Sequence, residues 1–178
     1  GHSNGTYNMK LNNSDLTVAN LSNDGVSRSL VIGYSQGCYN GAFDNRNSNF
    51  TYQTDCFTEE ITTMPTGMVA SIGNSRYGWY QKNTTNGASQ YLDRQFFDAI
   101  FGENITEIGW ANGDSREDNA AYILENMIIR WCAYEVTVFG DPSMDIWTAA
   151  PTEFSASHPM AVEIGGSTIS FATGAPFA

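Results

Sequence analysis

The sequence predicts an α/β domain with a mostly parallel sheet, followed near residue 151 by the start of a β domain. Three observations support this: two short apolar runs with a helical pattern between them, two later amphipathic stretches, and a change in pattern after Pro151. A strand, helix, strand unit brings the carboxyl ends of both strands to one edge of the sheet. Ligands bind at that edge in open α/β folds, so we expect the functional residues there.

The first elements are two strands and the helix between them. Residues 29–34 and 67–72 are apolar runs followed by small and polar residues, which is typical of buried parallel strands. Residues 55–61 predict a helix, because Asp55 can cap its N-terminus and acidic residues occupy its first turn.

Two helices and two strands are predicted downstream. Residues 89–101 place apolar side chains at helical spacing and end at Gly102. Residues 118–130 repeat the pattern, with an apolar stripe formed by Ala121, Ile123, Leu124, Met127 and Ile128. Residues 136–139 and 144–147 predict short strands on either side of a turn.

The chain divides into two predicted domains, residues 1–150 and 151–178. After Pro151 the alternating pattern indicates a β-hairpin around Gly165 and Gly166 that opens a sandwich domain. The first domain opens at Gly1 without a preceding strand, so we expect it to be the C-terminal part of a larger domain, with further domains in the same chain. No apolar run approaches the roughly 18 residues that a membrane span needs.

Composition and charge exclude some classes of partner. The chain has 178 residues, a hydrophobic fraction of 41% and a net charge of −11. Nucleic acid is therefore not expected as a partner, because phosphates would be repelled. A low charged fraction of 15% and many Asn, Ser and Thr residues favour a secreted or cell-surface protein. N-glycosylation sequons give weak further support, at Asn4, Asn12, Asn20, Asn49, Asn83 and Asn104.

Several kinds of site are absent from the sequence. It has no His and Cys cluster with zinc spacing and no phosphate-binding glycine loop. The acidic residues 114–119 could offer oxygen ligands to calcium, but they lack an EF-hand pattern. A solvated loop and helix cap is the favoured interpretation.

The three cysteines are candidates for a nucleophile. Cys38 follows a predicted strand and lies between Gly37 and Gly41, which allow a sharp turn and close approach of a substrate backbone. On chemistry alone, an equally good interpretation is that Cys38 has a structural role, as a small hydrophobic side chain buried in the core. Cys56, at a helix start beside an aspartate, is expected to be structural, and Cys132 is expected in the core. Spacing does not tell which cysteines could pair.

The chain has two histidines, His2 and His158. His2 lies in a polar segment with flanking glycines, typical of a strand-to-loop transition, although Gly-His at a chain start is also a common remnant of cloning. His158 lies in the second predicted domain and is expected at the surface or in a linker.

Five short segments together resemble the ordered motifs of the gingipain family of cysteine peptidases, peptidase family C25. They occur in the family's order and at similar spacing over residues 1 to about 148: Gly1-His2, residues 34–45, 55–59, 74–79 and 139–144.

The resemblance implies a caspase-like three-layer domain in which His2 and Cys38 act as a catalytic dyad at the ends of neighbouring strands. It implies an oxyanion site made by the backbone N–H groups of Cys38 and Ser3. Ser3 departs from the family, which usually has glycine there.

The resemblance also assigns substrate contacts. Trp79 corresponds to an aromatic lid over the pocket for the residue before the scissile bond, and Tyr77 is a second candidate. The family's specificity-determining acidic residue comes from upstream of the histidine, so a preference for Arg or Lys does not follow. The tail after Pro151 resembles the start of an immunoglobulin-like domain. No cofactor is required, and calcium is expected at most as a structural ion.

The expected function is secreted cysteine endopeptidase activity on protein or peptide substrates. One alternative is a sortase-like transpeptidase, in which an amine instead of water resolves the acyl-enzyme. A second is an inactive surface or structural module that retains the fold.

Overall fold

The computed structural model describes residues 5–6, 11–52, 54–150, 156–157 and 172–173. The chain forms two units, Gly1–Ile146 and Trp147–Ala178, which are described separately. Among the described residues, no helix combines the length and apolar character needed to cross a membrane.

The elements of the first unit follow the predicted alternation of strands and helices. In chain order they are β1 (Gly5–Thr6), β2 (Leu11–Asn12), a 3₁₀ turn (Asn13–Asp15), β3 (Val31–Tyr34), α1 (Phe57–Thr63), β4 (Met68–Asn74), α2 (Ala88–Phe101), α3 (Ile108–Glu117), α4 (Ala120–Glu125), α5 (Met127–Glu135) and β5 (Val136–Phe139). Strands β1 and β2 form a separate antiparallel pair.

The main described sheet has the order β3-β4-β5. β3 and β4 are parallel, which confirms the predicted strand, helix, strand unit. β5 is antiparallel to β4, with Val136 opposite Asn74. The prediction of a mostly parallel sheet is therefore correct for only one of the two pairings described. The carboxyl ends of β3 and β4 lie at one edge of the sheet, and β5 begins at this edge.

Helices cover both faces of this sheet. Ala70 and Ile72 on one face are fully buried in a core shared with α2, α3 and α5. Gly73 lies on the opposite face, where an added Cβ would lie 3.1 Å from the hydroxyl oxygen of Thr58 in α1. A second apolar cluster, around Phe57, packs α1 against the segment that follows β2. The arrangement is a three-layer α/β unit.

The predicted single helix at residues 118–130 is wrong. Asn126 separates α4 from α5, because its side-chain oxygen accepts hydrogen bonds from the N–H groups of Ile128 and Ile129 and caps a new helix. Leu124 and Met127 of the predicted apolar stripe are exposed. The buried apolar side chains of α5 are Ile129, Cys132 and Ala133.

Two further predictions are corrected. The acidic residues 114–119 begin inside α3, which the sequence did not predict, so the loop part of that interpretation is wrong, whereas Asn119 does lie at the N-cap of the next helix, α4. Residues 144–147 do not form a strand: Asp145 makes an isolated bridge with Glu107, and the N–H of Met144 donates to the carbonyl of Asp141 in a turn. Local polar contacts thus replace the predicted ladder.

The second unit has two described strands, β6 (Ala156–Ser157) and β7 (Ala172–Thr173), which pair antiparallel. The predicted hairpin around Gly165 and Gly166 lies outside the described residues, as does His158. The immunoglobulin-like domain stays a prediction.

Candidate active site

Cys38 is the accessible thiol of the chain. It lies four residues after β3, at the carboxyl edge of the sheet, and is partly exposed, whereas Cys56 and Cys132 are fully buried. None of the three forms a disulfide. Burial raises the pKa of the Cys56 thiol to about 12 and that of Cys132 to about 11, so both stay protonated at neutral pH.

A sharp turn carries Cys38. Tyr39 has a φ of +58°, in the left-handed region that residues other than glycine rarely adopt. The Tyr39 N–H donates to the carbonyl of Arg76 at 2.7 Å, and the Gly41 N–H donates to the carbonyl of Asn74 at 3.0 Å. The turn is thereby fixed to the end of β4 and to the loop that follows it.

Asn40 connects this turn to the sheet and to α1. Its side-chain oxygen accepts from the N–H of Asn74 at 3.1 Å, and its carbonyl accepts from the N–H of Thr58 at 2.9 Å. A Cβ on Gly73 would lie 2.7 Å from the Asn40 oxygen, so a larger residue at position 73 would displace Asn40. The sequence alone gave no sign of this contact.

We expect Asn40→Ala to lower the free energy of unfolding by about 1–3 kcal/mol, because it leaves the buried N–H of Asn74 without its acceptor. The urea midpoint, compared with wild type, measures this. Asn86→Ala is the control, since Asn86 is exposed and its side chain makes no hydrogen bond to another described residue, so a change within about 0.5 kcal/mol is expected there. Equal effects of the two substitutions would contradict the role of Asn40.

The loop after β4 packs directly against Cys38. The Sγ atom lies 3.5 Å from the carbonyl oxygen of Gly78. A Cβ on Gly78 would lie 2.1 Å from the carbonyl oxygen of Gln36, so only glycine fits this close approach of two backbone segments. Two further hydrogen bonds hold Gln36. The side-chain amide of Asn74 donates to its backbone carbonyl at 3.0 Å, and its own side-chain amide donates to the carboxylate of Asp93 at 2.6 Å.

The two predicted substrate-contact residues flank Gly78. Trp79 is 49% exposed, and its backbone exchanges hydrogen bonds with Ser89 at the start of α2. Tyr77 packs edge-to-face on Tyr39, with ring centroids 5.0 Å apart. Both rings therefore lie on the same loop as the carbonyl that contacts Cys38.

An ion pair that sequence reasoning missed supports the same region. The guanidinium of Arg76 binds both carboxylate oxygens of Asp44, at 2.7 and 3.2 Å, and lies over the Tyr39 ring. These hydrogen bonds hold the pKa of Asp44 below its usual value. Asp44 lies in the motif that contains Cys38, and Arg76 lies in the motif that contains Trp79. Their place in these motifs was the sequence signal that could have revealed the ion pair.

A buried glutamate lies beneath this loop. Glu135, at the end of α5, is 5% exposed. Its carboxylate makes no hydrogen bond of ordinary geometry to the described residues, but the backbone N–H of Arg76 and the thiol of Cys132 lie close enough to act on its pKa. Its backbone carbonyl accepts from the N–H of Ser75. Burial raises the pKa of Glu135 to about 8, although the neighbouring Arg76 opposes this shift.

The other predicted catalytic residues, His2 and Ser3, lie outside the described residues. The backbone N–H of Cys38 has no hydrogen-bond acceptor within the part of the chain that the structure describes.

The structure also contains an acidic cluster away from Cys38. Carboxylate oxygens of Asp98, Glu103 and Asp118 lie within 4.8 Å of one another on the surface. Repulsion from Asp114 is the main cause that raises the pKa of Glu103. Exposed acidic side chains often gather without an ion, and structural calcium stays a prediction.

Comparison with known proteins identifies the family. The structure resembles the crystal structure of the Arg-specific cysteine proteinase gingipain R (RGPB), with a TM-score of 0.71 and 20% sequence identity over 98% of this chain. This chain spans 38% of the length of that one. No curated protein sequence matches the chain. The similarity at this identity shows a shared caspase-like α/β fold. Residues 1–147 match the profile of peptidase family C25, and the chain therefore belongs to that family.

Proposed function

We propose that this protein is a cysteine endopeptidase in which Cys38 is the nucleophile and His2 its proton-transfer partner. The single observation that carries the proposal is the position of Cys38: a partly exposed thiol on a strained turn at the carboxyl edge of the sheet, in a chain of peptidase family C25. The chain covers only part of its structural relative, so the activity of the whole protein is part of the proposal.

In the proposed reaction, the Cys38 thiolate attacks the carbonyl carbon of the scissile peptide bond. The His2 imidazolium gives its proton to the leaving amine, and the acyl-enzyme that remains is a thioester. Water then hydrolyses the thioester, releasing the carboxylic acid and the free thiol. The N–H groups of Cys38 and Ser3 hold the oxyanion. No acceptor for the Cys38 N–H lies among the residues that the structure describes, which supports this role.

The proposed substrates are proteins or peptides, and Trp79 and Tyr77 would contact them near the scissile bond. Their exposure beside Gly78, whose carbonyl lies 3.5 Å from Sγ, supports this. A secreted or cell-surface location, with glycosylation, remains part of the proposal. It is supported by the low charged fraction of 15% and the sequons.

An electrophilic peptide probe, a peptidyl chloromethyl ketone, tests the proposal. We expect it to label Cys38 in the native protein and to leave Cys56 and Cys132 unmodified, because both are buried with raised pKa values. Mass spectrometry of the digested protein locates the label. Iodoacetamide is the control reagent, since it needs no peptide site. No labelling of Cys38, or equal labelling of all three thiols, would overturn the proposal.

A further inference from the structure

The outward side of α5 is apolar although it is exposed to solvent. The inward side of this helix packs into the core shared with α2 and α3. The opposite side of a surface helix ordinarily carries charged and polar residues. In α5 it consists instead of four large apolar side chains: Met127, Ile128, Trp131 and Tyr134. A helix that is apolar on all sides is typical of a buried position, so we expect a partner to cover this one.

These side chains form one surface with the end of α4. Met127, Trp131 and Tyr134 are spaced four and three residues apart, which places them in a row along α5. The guanidinium of Arg130 donates to two backbone carbonyls at the end of α4 and so holds that end beside α5. We name the whole surface the α4–α5 face: Leu124, Met127, Ile128, Trp131 and Tyr134.

The area of the α4–α5 face is close to what one subunit contributes to a stable interface. The exposed fractions of its side chains range from 47% for Ile128 and Trp131 to 81% for Tyr134. Because a large apolar side chain presents roughly 150–250 Å² when fully exposed, the face offers roughly 700 Å² to solvent. A standard interface buries roughly 800 Å² on each partner, and apolar patches on monomers seldom exceed roughly 600 Å².

The lack of charge on the α4–α5 face determines the kind of partner. Neither charged residue of α5 is free there, because the Arg130 guanidinium binds carbonyls of α4 and Glu135 is buried. The face therefore cannot select a charged partner and needs an apolar surface of similar size. A second copy of this chain supplies such a surface. The net charge of −11 opposes this association only weakly, since charges more than about 8 Å apart are largely screened at physiological salt.

The α4–α5 face is also complementary to itself. Two-fold symmetry uses the same surface on both subunits, so each contact between two different residues occurs twice. When two α5 helices pack antiparallel about an axis near Trp131, the Met127 end of one helix meets the Tyr134 end of the other. A flexible thioether packs favourably against an aromatic ring. Two such contacts then flank a central pair of tryptophans, a residue type enriched at the centres of interfaces.

We infer that the α4–α5 face is the interface of a symmetric homodimer, in which α5 of one copy packs antiparallel against α5 of a second copy. Association removes the apolar face of both copies from water, and this burial drives it. The face contains none of the residues assigned to catalysis or to substrate contact, so the dimer does not depend on the proposed peptidase reaction.

Sedimentation equilibrium of the full-length protein, over roughly 1–100 μM, tests the inference. We expect a monomer–dimer equilibrium whose dissociation constant rises about tenfold or more in Met127→Lys and in Tyr134→Glu, because each variant buries an unpaired charge in the interface. Val26→Lys is the matched control, since Val26 is 93% exposed and lies outside the face. Circular dichroism verifies that each variant folds. A monomeric wild type, or the same dissociation constant in all of these proteins, would refute the dimer.

A mixture of the two variants tests the antiparallel arrangement. Met127→Lys and Tyr134→Glu together place opposite charges at one contact and keep the native pair at the other, so the heterodimer should be about tenfold tighter than either homodimer. Sedimentation of one fluorescently labelled variant measures this, and a heterodimer no tighter than the homodimers rules the arrangement out. Hydroxyl-radical labelling tests the other occupant: if Met127 and Tyr134 are protected in a monomeric protein, another part of the same protein covers the face and the inference fails.

Discussion

Replacing Cys38 with alanine is expected to lower kcat/KM for peptide hydrolysis by at least about 10³-fold while the fold is retained. The reason is that alanine removes the nucleophile, and no other thiol can replace it. Cys56 and Cys132 are both fully buried and their pKa values are raised, so neither offers a thiolate near the Cys38 turn. Initial rates with a fluorogenic peptide measure the loss.

Cys56→Ser is the matched control for this experiment. Cys56 precedes the first residue of α1, and its N–H donates hydrogen bonds to side-chain oxygens of Asn45 and Glu59. Serine is a favourable residue at a helix N-cap, so we expect this variant to fold and to keep its activity. Full activity in Cys38→Ala, or a loss in Cys56→Ser as large as in Cys38→Ala, would contradict the assignment of the nucleophile.

The second large effect is a pH-dependent change in stability caused by Glu135. Burial raises the pKa of Glu135 from its usual value of 4.5 to about 8, so between these pH values the native state holds a proton that the unfolded state has released. Raising the pH therefore favours unfolding, and the wild-type protein should lose about 3–5 kcal/mol of stability from this group between pH 4.5 and 8. Glu135→Gln should remove this contribution, because its amide stays neutral.

Urea denaturation at pH 5, 7 and 9 measures this effect as the difference between wild type and variant. Other carboxyl groups titrate in both proteins, so the difference isolates Glu135. Glu125→Gln is the matched control, since it makes the same substitution at an exposed glutamate away from the buried Glu135 side chain. If the wild type and Glu135→Gln show the same pH dependence, Glu135 is not a buried neutral acid. The backbone carbonyl of Glu135 accepts a hydrogen bond from Ser75, in the loop that carries Trp79. Ionisation of the Glu135 side chain should therefore also loosen this loop.

The elements closest to Cys38 were predicted well because their signals are local. A short apolar run before a small polar segment marks β3, and the acidic first turn marks α1, although the residue that precedes this helix is Cys56 and not Asp55. The continuous helix predicted over residues 118–130 was wrong because helical spacing does not reveal that the Asn126 side chain caps a new helix. Exposure of Leu124 and Met127 follows from that break.

By itself, the sequence determined the family motifs, their order, and Cys38 as the thiol that follows a strand. Tertiary structure decided the contact between Sγ and the Gly78 carbonyl and the burial of Glu135. Periodicity and turn residues report on neighbours along the chain, whereas these features join segments that are distant in the sequence, such as Cys38 and Gly78, which are 40 residues apart. Such contacts depend on which faces pack together, and only the folded chain sets that choice.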